Sequence, residues 1–205
     1  MLVDVAVETG QPRKGERTRA AILRVAARLA TVDGLEGLSI GGLADVTGMS
    51  KSGLYAHFGS KEELQLATIE AARASFIEEV VTPALRTTSP ERDRLLALCD
   101  GFLDYVERRV FPGGCFFVAT SAELGSRPGP VHDRVAAYQG EWSELLRQTA
   151  REAHAQGDLP SDLDPDQVAF ELGAILAGTN IVAVLHSDDA AIERARRAIR
   201  RQLGV

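Results

Sequence analysis

Apolar residues recur three and four positions apart along nearly the whole of this 205-residue chain, and the apolar/polar alternation of a half-buried strand is nearly absent. That period dictates an all-α fold, and caps and breakers cut it into about nine helices. The first is expected over residues 16–32, with Ile22, Ala26 and Leu29 on one face, Val25 beside them, and Asp33-Gly34 as its stop. Ser39 suits the N-cap of a short second helix reaching Thr47. Gly48-Met49 then makes a turn, Ser50 caps a third helix, and Gly59 breaks it after Phe58. Ser60-Lys61-Glu62-Glu63 reads as a capping box for a fourth helix. That helix is expected to run to Val81 and to end at Pro83. Beyond a loop at 87–90, helices are expected at 91–110, 115–124, 131–156, 166–186 and from 190 onward. Pro112-Gly113-Gly114, Arg127-Pro128-Gly129-Pro130 and a connector at 157–165 separate them.

Charge divides the chain unevenly. Residues 1–61 hold eight Lys/Arg and six Asp/Glu, a net +2, whereas residues 62–205 hold fifteen and twenty-three, a net −8. A slightly basic head on an acidic body suits a protein that meets nucleic acid with one end. Residues 1–14 read as a loose tail, without the basic start of a secretory leader, in which Arg13 and Lys14 can brush phosphates. The two cysteines, Cys99 and Cys115, are too few for a disulfide scaffold and lack zinc spacing, which points to a reducing cytoplasm. Residues 168–185 are long enough to suggest a membrane span, but Glu171 and Asn180 lie inside and acids flank both ends. A helix buried at a subunit interface fits them better.

The stretch from Leu38 to Leu64 carries the functional signal. Two short helices that cross steeply need a small residue at the crossing, here Ala44, and a turn residue free to take positive φ, here Gly48. Ile40, Leu43, Val46, Met49, Leu54 and Phe58 are expected to hold the pair on the first helix. The second of the two then presents Ser50, Lys51, Ser52, Gly53, Tyr55 and His57 outward, a surface of donors and small residues suited to a major groove.

With Ala44, Gly48, the run Ser50-Lys51-Ser52-Gly53-Leu54-Tyr55-Ala56-His57-Phe58 and then Ser60-Lys61-Glu62-Glu63-Leu64, the sequence resembles the tetracycline-repressor-like (TetR) regulators. The match is dense over about 27 residues and extends loosely back to Arg17. The resemblance implies a DNA-binding head over 15–61 and an effector-binding, dimerising body over 62–205. It implies phosphate contacts at Ser39, Tyr55, His57 and Lys61, base-edge reading by Lys51 and Ser52, and backbone contacts from Arg17 and Thr18. Two departures matter: Gly41-Gly42 stands where longer polar side chains are usual, and Gly53 where Thr or Ser is common. Base reading then falls on Lys51, Ser52 or DNA shape. Each helix-two glycine also costs about 1 kcal/mol relative to Ala.

In the body, Gly173 with Ala177 and Ala174 with Gly178 form small pairs at i, i+4, on a helix apolar nearly all round. Such a helix needs burial on both sides, and a four-helix interface between two copies supplies it, with Trp142, Leu145 and Leu146 as candidate anchors. Phe102, Tyr105, Phe117 and Asn180 are candidate lining for a pocket suited to an apolar or aromatic effector. The expected function is that of a homodimeric regulator, a repressor of a palindromic operator released by ligand. An all-α enzyme, or an interaction module whose head no longer binds DNA, remains open. Neither has a motif behind it: nucleophile elbow, metal set and phosphate loop are missing from the sequence, no cofactor is implied, and His132, His154 and His186 lack obvious acid partners.

Overall fold

The computed structural model describes residues 14–86 and 91–205. The expected tail through Arg13, the Lys14 side chain and the loop at 87–90 lie outside the described residues. Among those described, all regular structure is helical: α1 (Lys14–Asp33), α2 (Ile40–Thr47), α3 (Lys51–Phe58), α4 (Lys61–Phe76), a π turn (Ile77–Val81), α5 (Thr82–Leu85), α6 (Glu91–Glu107), α7 (Phe116–Leu124), α8 (Pro130–Ala155), α9 (Pro165–Leu185) and α10 (Ala190–Leu203). Because α4, the π turn and α5 run end to end, they make one rod, and the described residues form nine rods in all.

Local chemistry sets the boundaries. The hydroxyls of Ser39, Ser50 and Ser60 each accept the backbone N–H three residues on, at 3.1 Å, which satisfies one orphan donor at the start of α2, α3 and α4. The reciprocal arm of the capping box is not made, since the Ser60 N–H donates to the Phe58 carbonyl instead. Gly48 takes φ +67°, the left-handed geometry that lets α2 turn sharply into α3.

Pro83 does not end its rod. Proline lacks an N–H and crowds the carbonyl four residues back, so a regular α-helix is disrupted there. The chain widens first: the Thr82 N–H reaches back five residues to the Ile77 carbonyl. Pro83 then sits in the first turn of α5, where a missing donor costs little. In contrast, α6 stops before the expected Val110, and Arg109 adopts φ +51°.

One apolar cluster runs through the molecule. At the head, Ile22, Ala26 and Ala30 of α1 pack with Leu43, Leu54, Phe58 and Leu64. Val46 corrects the sequence reading: it is 59% exposed and points away from this cluster. In the body, α6 is central, burying Leu95, Leu98, Phe102, Leu103 and Val106 among α8, α9 and α10. Among the described residues α9 alone is long and apolar enough to cross a membrane. Here it packs on α8 and α10 through Val168, Leu172, Leu176 and Ala183.

Head and body are pinned at a seam. The Glu123 carboxylate on α7 accepts the N–H groups of Leu35 and Glu36, in the loop after α1, at 2.8 Å each. The Gly113 N–H donates to Thr31 Oγ1 at 3.1 Å, and Arg28 donates to the Val110 carbonyl at 3.0 Å. Gly113 is there because nothing larger fits: a Cβ would lie 1.9 Å from the Thr31 carbonyl oxygen.

Candidate functional site

The α2–α3 pair presents two unlike sides. Leu54 and Phe58 of α3 are buried, and on the side of the helix away from that core Lys51, Ser52 and Tyr55 are exposed, Tyr55 by 55%. Inward-facing Leu54 and Phe58 therefore aim the polar residues at solvent. Ser50 is committed to its cap and lies 3.2 Å from the Ser52 hydroxyl. The Lys51 ammonium arches over α2, and a Cβ at Gly41 would be 3.7 Å from its Nζ. Gly53 is half-buried, and a Cβ there would come within 3.1 Å of Ser50 Oγ. His57 is half-buried, its ring centroid 6.0 Å from that of Phe58. Ser39, at the start of α2, and Arg17, on α1, are exposed, with Thr18 half-buried. Lys61 is tied down: its ammonium donates to the Glu36 carbonyl at 2.6 Å and lies 3.8 Å from the Glu36 carboxylate. It thus braces the α1–α2 loop while remaining exposed.

The body holds a cavity of about 360 Å³, partly open to solvent. Its walls come from α4 and the π turn (Arg73, Phe76, Ile77), α6 (Phe102), α7 (Phe117, Val118), α8 (Tyr138, Glu141, Trp142, Leu145, Leu146) and α9 (Ala169, Gly173, Ala177). Two of the four sequence candidates, Phe102 and Phe117, line it. Tyr105 does not: it is fully buried behind the wall, edge-on to Phe76 and Phe111. Asn180 does not either: its Oδ1 accepts the Cys115 N–H at 2.7 Å and fixes the start of α7. Sequence reasoning missed Phe76, whose ring is the hub of the wall, perpendicular to Trp142 at 5.1 Å and 6.2 Å from Phe102. It also missed the polar group beside it. Arg73 donates through Nε and Nη2 to Glu141, at 3.2 and 2.9 Å, and lies 4.7 Å over the Tyr138 ring.

The expected dimer face is partly redrawn. Leu146 is 1% exposed inside the subunit, which takes it off an outer face, and the half-buried Trp142 packs on Phe76 and Phe102. Leu145 is half-buried at the cavity. Ala174 and Gly178 are exposed, Gly173 and Ala177 half-buried, and nothing lies within 4 Å of where a Cβ would stand on either glycine. Around them α9 leaves Phe170 (71%), Ile181, Val182 and Leu185 (72%) in solvent.

Both cysteines are buried. Burial pushes the Cys115 thiol up to about 11, partly offset by backbone N–H groups of Val118 and Phe117. Burial and the neighbouring Asp100 carboxylate raise Cys99 further. Contrary to expectation, His132 has an acid partner, Asp133, at 2.9 Å, on the surface. Among the described residues no His/Cys/Asp/Glu cluster is suited to a metal.

Two family models match the chain: bacterial regulatory proteins of the tetR family over residues 22–68, and the tetracyclin repressor-like C-terminal domain over residues 92–199. The transcriptional activator FasR of Mycolicibacterium smegmatis is 38% identical over 103 residues, 48% of this chain and 47% of that protein, so the match spans about half of that relative's length. The structure of a TetR regulator from Chloroflexus aurantiacus superposes with TM-score 0.83 at 30% identity, over 93% of this chain and 96% of that one. AibR, solved with isovaleryl coenzyme A and operator DNA, shares the fold at TM-score 0.71 and 23% identity, over 90% of this chain and 98% of its own. With a helix-turn-helix at one end, a helical body at the other and both halves matched, the chain belongs to the TetR family of transcriptional regulators.

Proposed function

We propose that the chain is a cytoplasmic homodimeric repressor that leaves a palindromic operator when an effector fills the body cavity. The observation that carries this reading is the pairing of buried Leu54 and Phe58 with exposed Lys51, Ser52 and Tyr55 on one two-turn helix. In this reading the head spans 15–61 and the body 62–205. Lys51 and Ser52 meet base edges, Lys51 best matching guanine O6/N7. Ser39, Tyr55 and His57 hold phosphates, with Arg17, Thr18 and Lys61 at the rim. Ser50 and Gly53 keep the approach close.

The dimer is supported by the exposed apolar stripe of α9, which a lone soluble subunit has no reason to keep. Gly173, Ala174, Ala177 and Gly178 let a second helix come close. Release is supported by the place of α4, which packs on α1 in the head and on α8 in the body while its C-terminal end walls the cavity. AibR, solved with an acyl thioester and operator DNA, offers a parallel for effector and operator acting on one protein. FasR carries the name of an activator, which makes activation the competing sign.

The test begins by sequencing genomic fragments retained by the pure protein. Operator titrations with wild type, Lys51→Ala and Tyr55→Ala follow, with folding checked by circular dichroism. Unchanged affinity in both folded variants would overturn the DNA-site assignment. A reporter driven from the recovered promoter decides the sign: expression rising on deletion of the gene means repression, and falling means activation.

A further inference from the structure

We infer that the body cavity is built for an uncharged, predominantly apolar molecule and discriminates against both anions and cations. This rests on the reading of the cavity as an effector site.

The first observation is the wall. Phe76, Phe102, Phe117 and Trp142 close the interior with edge-to-face and stacked contacts, centroids 5.1 to 6.3 Å apart. None of these four side chains carries a charge, and an ion moved among them without a counter-charge bears the cost of its lost hydration.

The second observation is that the charges that do reach the cavity are already matched. Arg73 spends Nε and Nη2 on Glu141. Arg147, also on the cavity lining, pairs with Glu144 on its own helix. Asp166, a further lining residue, accepts two bonds from Arg151, at 2.7 and 2.6 Å. Both bonds run to Glu141 Oε2, so a ligand carboxylate that took Arg73 Nη1 would share one guanidinium with a carboxylate already held there. A ligand ammonium that took Glu141 Oε1 would likewise share one carboxylate with a guanidinium already paired to it. A neutral ligand leaves the pair intact and gains the apolar area.

The protein carries its own reporter, since its single tryptophan, Trp142, lies in the wall. We would titrate the full-length protein at neutral pH with phenylbutanol, phenylbutyrate and phenylbutylamine, three probes of one shape and three charges. Trp142 emission and thermal stability would both be followed. The expected result is that the alcohol binds about tenfold or more tightly than either ion, a difference of about 1.4 kcal/mol. An ion binding as tightly as the alcohol would overturn the inference while leaving the cavity a ligand site. Silence of all three probes in both readouts would overturn the effector-site reading and the inference with it. Glu141→Gln supplies the second arm: it leaves Arg73 without its counter-charge, so the preference should swing towards phenylbutyrate by about tenfold. An unchanged order of the three probes in this folded variant would also overturn the inference.

Discussion

On α3, Lys51 and Tyr55 contribute little to the core, which makes them clean probes of the head. Both are exposed, and the packing of α3 rests on Leu54 and Phe58. Lys51→Ala should therefore change folding stability by less than about 0.5 kcal/mol. Its effect on operator binding should be about 1–3 kcal/mol if the ammonium reads a base edge, and it should relax preference at that base pair. A phosphate-only role would weaken all sequences equally and lower the salt slope by about one. Titrations across a range of salt with operator and scrambled duplexes tell the two apart. The thiols give a second prediction. Cys115 is shifted from its ordinary 9.0 to about 11 by burial, so it stays protonated in the folded protein at neutral pH. Native protein should be inert to a thiol-specific alkylating reagent and react only on unfolding. The sign of the linkage follows: above pH about 9 the unfolded chain releases a proton that the folded one keeps until about 11, so stability is intact below the lower value and declines through the upper one. Melting temperature measured against alkaline pH should fall less steeply across this window in Cys115→Ser.

At the scale of elements, the head is positioned by α4, by α7 and by the loop before α7. Glu123 satisfies two consecutive backbone donors across the seam, and Gly113 allows that loop to touch the Thr31 carbonyl. Glu123→Ala leaves both N–H groups without that acceptor and should cost about 2 kcal/mol, with amide exchange at Leu35 and Glu36 accelerating ahead of the rest of α1. Gly113→Ala forces a Cβ into a carbonyl 1.9 Å away and should cost about 3 kcal/mol through displacement of the loop, read as a lower Tm. None of this seam was readable in advance, because a glycine and a glutamate 80 or more residues from their partners leave no periodic trace. What did read through was local. Ser39, Gly48, Ser50 and Ser60 act within a few residues of themselves, and the helix boundaries they set came out within one or two positions. Helical period finds a buried face but does not say which neighbour buries it. For that reason Leu146 and Trp142 read as dimer anchors although both line the cavity, and Asn180 as a ligand contact although it holds the Cys115 N–H at the start of α7. Pro83 was misjudged because a π turn five residues long has no signature in apolar spacing.

For the whole molecule, the proposed pairing of two copies ties geometry to affinity. A single head offers a few contacts, and two heads held at a fixed spacing turn the second binding event into an intramolecular one. The α9 stripe is the surface on which this depends: Phe170, Ile181, Val182 and Leu185 are exposed around the small residues Ala174 and Gly178. Ile181 makes the sharper test, since its 52% exposure means that a polar replacement leaves the subunit core untouched. In the proposed dimer, Ile181→Glu brings two carboxylates, one from each copy, towards an apolar contact, where burying unpaired charge costs several kcal/mol. The expected outcome is a folded monomer by analytical ultracentrifugation, with a Tm that no longer rises with protein concentration. Operator affinity should fall by at least about 100-fold, whereas binding to a half-site duplex should stay unchanged. Charge sharpens the reading of that loss. Residues 1–61 carry a net +2 and the remainder −8, so the acidic body repels DNA and leaves an isolated head little non-specific affinity to fall back on. A variant that remains dimeric, or one that turns monomeric yet holds the full operator as tightly as wild type, would remove α9 from the assembly and require another face to set the spacing between heads.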